Sequence, residues 1–161
     1  MITYYLTLSR TFPSTHPKAG KPTGFKERVL ISINSQFLSD IRPKVHTIRA
    51  NYLFWKKRFE KIARGEACLS IREWEGKPYG KGSRQVEIAR LTREDGIGLQ
   101  QLRFTVDVDN KRVAIIDGIS LPSLRVLADN DGLTLEDWNE WFRGYNLSNS
   151  LAVIHFTKYR Y

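Results

Sequence analysis

Six consecutive residues, Lys44-Val45-His46-Thr47-Ile48-Arg49, set a primary amine, an imidazole, a hydroxyl and a guanidinium side by side. Together they offer donors for a carbonyl or phosphate and, in Thr47, a nucleophile that needs a neighbouring base. Lys44 would be that base only where burial brings its amine toward neutrality; otherwise it is a cation that holds an anion or a carbonyl. Val45 and Ile48 tie the run to a core, so its polar members are expected to line a pocket. Arg49 keeps its charge and suits an ion pair or a ligand phosphate. His46 suits a structural hydrogen bond and a ligand contact equally. Lys44 and Thr47 stand three positions apart and on a regular strand would face opposite ways. A loop or bulge at Lys44, just after Pro43, would bring them together.

Charge supports the same direction. The 161 residues carry 26 Lys and Arg against 17 Asp and Glu, a net charge of +9, which favours a polyanionic partner, first of all RNA or a nucleotide. Lys57, Lys61 and Arg64 fall on one side of a predicted helix and would grip phosphates or simply be solvated. Between Trp74 and Arg84, the rings of Trp74 and Tyr79 alternate with Lys77, Lys81 and Arg84 among glycines and Pro78. That mixture suits stacking on a base with phosphate contacts alongside, and equally reads as a hairpin tip. Gly20-Lys21-Pro22 lacks the upstream glycine and the following Ser or Thr of a Walker loop, and neither a serine-hydrolase elbow nor paired metal cysteines occur. His16, His46 and His155 lack zinc-ligand spacing, so neither metal nor cofactor is expected. The single cysteine, Cys68, lies mid-strand and reads as a packed side chain in a reducing compartment.

The elements that must position these residues follow from periodicity. A strand is expected over 2–8, then a basic loop over 10–23 that Pro13, Pro17 and Pro22 keep extended as a flap. Helices are predicted over 24–33, over 52–64 with Asn51 as cap and Gly65 as stop, over 120–128, and from Thr134 as cap to Gly144. Strands are predicted over 44–49, 67–74, 84–92, 102–108 and 111–117, with Asp109-Asn110 turning the last two into a hairpin. The apolar run 151–156 reads as a central strand. Seven short strands and about four helices predict an α+β fold: a mixed sheet curled toward a barrel with helices on its flanks. One domain over 1–161 is expected, favouring a monomer, with no membrane span. The opening residues lack the features of a signal peptide, which points to a cytoplasmic protein.

Three blocks carry a family resemblance: the Lys44 to Arg49 run after a helix, Ala128-Asp129-Asn130-Asp131-Gly132-Leu133 before a Thr-capped helix, and the closing strand 151–156. In this order they resemble the ASCH family of PUA-like β-barrels over residues 25–156. The resemblance implies a pseudobarrel with a basic cleft beside the Lys-x-x-Thr-x-Arg strand, and a nucleic-acid or nucleotide binding module. It also implies an alternative, because some small members are amidohydrolases that deacetylate acetylated cytidine with a lysine, a threonine and a glutamate. By motif position these fall on Lys44, Thr47 and Asp131, the last a departure. Aspartate is one methylene shorter than glutamate, which sets the carboxylate about 1.5 Å further back and weakens proton transfer.

Overall fold

In the computed structural model, which describes residues 1–34 and 40–161, strands and helices alternate along the chain but the strands sort into two open sheets. The elements are β1 (Ile2–Leu8), α1 (Phe25–Asn34), β2 (His46–Arg49), α2 (Tyr52–Ala63), β3 (Ala67–Glu75), β4 (Arg84–Leu91), β5 (Gly98–Val106), β6 (Arg112–Ile116), β7 (Ile119–Ser120), α3 (Leu124–Asn130), α4 (Leu135–Phe142) and β8 (Leu151–His155). A three-stranded sheet has the order β1-β3-β4, with β1 parallel to β3, and a five-stranded antiparallel sheet has the order β2-β8-β5-β6-β7. The expected α+β class with mixed pairing and four helices holds, with eight strands among the described residues. The expected curl does not close into a barrel: β1 and β2 remain edge strands of separate sheets.

β8 shows how sequence dictates place. Its five residues are all buried, and it sits between β2 and β5, as a nearly continuous apolar run requires. β5 begins at Gly98 rather than Leu102, because residues 98–102 pair with β8 although Gln100-Gln101 interrupt the apolar alternation. The segment predicted as helix over 120–128 is divided. Ile119 and Ser120 form β7 after a turn with positive φ at Asp117 and Gly118, and Ser123 then caps α3 by accepting from the Arg125 N–H. Asn51 does cap α2: its side chain accepts from the Phe54 N–H at 3.1 Å, with its own backbone left-handed. Trp55, Phe59 and Ile62 are the buried stripe of that helix. Cys68 is buried in β3, as expected.

The loop at 10–23 is not an extended flap. Phe12 and His16 are buried, and the chain folds back through a bridge between Thr11 and Pro22. Burying two rings outweighs the extended bias of the prolines. His16 Nδ1 accepts from the Lys18 N–H, so Nε2 donates to the Asp137 carbonyl at 3.1 Å, while Lys18 Nζ pairs with the Asp137 carboxylate at 2.7 Å. The loop is thereby pinned to the first turn of α4, and Phe12 packs on Trp141. Among the described residues no helix is long and apolar enough to cross a membrane.

Candidate functional site

Lys44 does not belong to β2. It precedes the strand in a segment whose backbone is fully engaged: the Lys44 N–H donates to the Arg28 carbonyl and its own carbonyl accepts from Ser32 Oγ, both on α1. The Val45 N–H donates to Asn130, and Val45 accepts from the Phe156 N–H. Freed from strand alternation, the Lys44 side chain lines the same cavity as Thr47, which settles the parity conflict by the loop that Pro43 predicts.

Asp131 arrives from the end of α3. The Leu133 N–H reaches the Ala128 carbonyl and the Gly132 N–H reaches Asp129, a two-bond helix stop with Gly132 left-handed at φ 78. This turn aims both the carbonyl and the carboxylate of Asp131 at Lys44, at 2.7 Å and 2.5 Å from Nζ. Only glycine fits at 132, because an added Cβ would lie 3.0 Å from Lys44 Cβ at a φ that L side chains rarely adopt. Phe25 covers the ammonium, its ring centroid 4.1 Å from Nζ. Lys44 is 1 % and Asp131 3 % exposed. Burial pushes the Lys44 ammonium down, although Asp131 opposes the shift, and pushes the Asp131 carboxyl up, although Lys44 and Arg49 oppose it. Each shift moves the pair toward sharing its proton.

The cavity measures about 1240 Å³ and opens between the β1 end, at Leu8 and Ser9, and β2. Lys44, Thr47, Arg49 and Asp131 occupy one side, with Phe25, Trp141, Phe142 and Tyr145 supplying aromatic wall and Gln101, Asn146, Asn149 and Ser150 supplying amides and a hydroxyl. Arg49 spans the gap between the sheets, donating from Nη2 to the Thr7 carbonyl at 2.6 Å. Thr47 lines the cavity, and among the described residues no hydrogen bond engages its hydroxyl, to Lys44 and Asp131 included.

His46 lies behind this wall. It is fully buried, with Nε2 2.6 Å from the Tyr161 hydroxyl and Nδ1 4.0 Å from Asp131 Oδ1. The Tyr161 hydroxyl also accepts from Asn130 Nδ2 at 3.1 Å. His155 meets the His46 ring edge to face at 5.5 Å, and neither of its nitrogens has a partner among the described residues. Burial, reinforced by Arg160, holds the His155 imidazole down at about 3, and burial likewise holds His46 well below its ordinary value. Burial thus opposes the charged form of both rings, and neither is part of the cavity lining.

The remaining expected residues lie outside the cavity lining. Lys57 and Arg64 are exposed on or just beyond α2 and Lys61 half so, and Arg64 is held by Glu66 at 2.7 Å. At the β3–β4 connection Trp74 packs on Tyr79 with ring centroids 4.9 Å apart, Arg84 pairs with Glu75 at 2.6 Å, and Lys77 and Lys81 are exposed. Sequence reasoning did not single out Phe25, Arg103, Trp141 or Tyr145 as cavity residues. Their types are ordinary for a helix or strand, and only tertiary packing gathers them. Among the described residues no group of three His, Cys, Asp or Glu is placed to hold a metal ion.

Two outcomes follow for stability. Lys44→Met or Asp131→Leu alone strands a buried charge and costs about 3–5 kcal/mol, whereas the double variant costs less than the sum, read by urea denaturation in a double-mutant cycle. A histidine whose folded-state pKa lies below its unfolded 6.5 contributes stability that is complete above pH 6.5 and lost as pH falls toward about 3. The acid limb of a stability–pH profile therefore steepens below pH 6.5, by about 1.4 kcal/mol per pH unit for each such group, and His155→Leu flattens it.

No family model, curated protein or solved structure matches this chain, and the chemistry of the cavity rests on its own geometry.

Proposed function

We propose that this chain is a nucleotide- or nucleoside-binding module of the ASCH and PUA-like kind that its Lys44 to Arg49 run resembles. Its partner is RNA or a free nucleotide, and its binding site is the cavity between β1 and β2. The observation that carries this reading is the composition of that cavity: a buried Lys44 with one N–H beyond the two that Asp131 takes, a free Thr47 hydroxyl and an Arg49 guanidinium, set opposite aromatic rings and amides. Aromatic faces stack on a base of any kind, and amides and hydroxyls read its edge. An enclosed site of this size suits a flipped base or a mononucleotide, not a duplex lying on a basic stripe.

One observation favours a second reading, an amidohydrolase acting on an acylated nucleoside. Burial opposes the charged forms of Lys44 and Asp131, and a neutral Lys44 amine would take the Thr47 proton as the hydroxyl adds to the amide carbonyl, hand it to the nucleobase amine as the C–N bond breaks, and leave an acyl-Thr47 ester for water to hydrolyse. The missing hydrogen bond between Thr47 and Lys44 ranks this reading second.

Tryptophan fluorescence titration with nucleosides and their monophosphates separates these readings. Saturable quenching that Thr47→Val weakens several-fold, with no turnover of acetylated cytidine, is the expected result. Release of cytidine that Thr47→Val abolishes would establish the hydrolase instead. Binding of RNA alone, lost on Lys77→Ala with Lys81→Ala, would move the site to the β3–β4 connection and contradict both.

A further inference from the structure

Arg49 is a half-buried guanidinium without a carboxylate in ion-pair contact. Asp131, the carboxylate that acts on it through space, is committed to Lys44 at 2.5 Å, and Arg49 makes no ion pair among the described residues. One nitrogen serves the Thr7 carbonyl, but Nε is sealed from solvent with no partner. A half-buried charge with no counter-ion in contact gains from an anion in the cavity, which would be held by the guanidinium N–H groups other than the sealed Nε.

A second guanidinium stands on the same sheet face. Arg49 pairs across β8 with Ala152, which pairs in turn with Gln101 on β5. Residues in one such row share a face, and Arg103 is two positions beyond Gln101, so it shares that face too. Two strand spacings and one two-residue step put the Arg49 and Arg103 backbones roughly 12 Å apart, within the combined reach of two arginine side chains. Arg103 lines the same cavity, is exposed, and has no ion-pair or hydrogen-bond partner among the described residues. Most other exposed arginines of the two sheets are held: Arg84 by Glu75 and Arg90 by Glu87.

We infer that Arg49 and Arg103 form an anion subsite at the mouth of the cavity, which takes the terminal phosphomonoester of a nucleotide whose base occupies the inner part. The inference rests on the base-binding reading above and sharpens it: the ligand is a nucleoside monophosphate, free or as the phosphorylated end of an RNA strand, rather than a neutral nucleoside. A phosphomonoester suits two forked guanidiniums because its several oxygens accept from both. Lys44, deeper in and neutralised by Asp131, is left to the base.

Calorimetric titration of the full chain with the four ribonucleosides, their 5′-monophosphates, inorganic phosphate and a 5′-phosphorylated tetraribonucleotide tests this, on wild type, Arg103→Gln and Arg49→Lys. At least one monophosphate is expected to bind about tenfold or more tighter than its nucleoside. In Arg103→Gln, whose exposed side chain leaves folding intact, that preference falls to about twofold or less while nucleoside affinity is kept. Arg49→Lys, which keeps the charge and loses the fork, reduces the preference in part. Comparing the mononucleotide with the tetranucleotide identifies the source of the phosphate. Equal affinities for nucleoside and monophosphate, or an unchanged ratio in Arg103→Gln, overturn the subsite and leave the base pocket standing. Binding of inorganic phosphate alone, lost in Arg103→Gln, overturns the base pocket and keeps the subsite; binding of none of these overturns both.

Discussion

The contact between Lys44 and Asp131 is the constraint around which the rest of this site is arranged. An ammonium at 1 % exposure is costly unless its donors find partners, and the fold meets two of the three from one residue, using carboxylate and carbonyl together, with the Phe25 ring over the charge. The end of α3 meets that demand: the two-bond stop at Gly132 turns the carbonyl and the carboxylate of Asp131 toward the same ammonium. The approach of residues 44 and 45 is set by their backbone groups, which are held by α1, α3 and the end of β8. The carbonyl at the C-terminal end of α3 adds the favourable end of a helix dipole to the charge of the carboxylate.

Around this pair the two sheets share one hydrophobic core without joining edge to edge. β1 and β2 are edge strands of different sheets, and among the described residues the Arg49 guanidinium hydrogen-bonds from β2 to the Thr7 carbonyl of β1. A closed barrel would bury those edges and fill the interior with side chains. Leaving them open creates the cavity, and the 10–23 loop, pinned to Asp137, braces the aromatic wall of α4 from behind. His46, His155 and Tyr161 form a neutral layer beneath, so the charge in the cavity is carried by Lys44, Asp131, Arg49 and Arg103.

How much of this is legible in the sequence depends on whether the deciding interaction is local. The polar run 44–49, the Asn51 and Thr134 caps, and the central β8 are all visible, because caps, turn residues and apolar runs act over a few positions. Pro43 signals that Lys44 need not follow strand alternation, and the structure places Lys44 and Thr47 on one cavity as that requires. Asp131 is legible through the family resemblance, while the physical signal for it, Asp131-Gly132 ending a helix, is equally local. What stayed hidden is tertiary. The loop at 10–23 looks extended by its prolines, yet Phe12 and His16 bury and fold it. Arg103 is one of many cations, and only the pairing of β2, β8 and β5 puts it on the face of Arg49. The split of the strands into two sheets depends on which edges meet, which no local pattern records.

The central claim is that ligand enters the cavity at Lys44 and not the basic surface at 74–84 or α2. Residue-resolved NMR with a nucleoside monophosphate added to the labelled protein tests it most directly. The account predicts shift changes confined to Lys44, Thr47, Arg49, Arg103, Asp131 and the aromatic residues of α4, with Lys57, Lys61, Lys77 and Lys81 unmoved. Changes concentrated at Trp74 to Arg84 or along α2, with Lys44 and Asp131 silent, would contradict it.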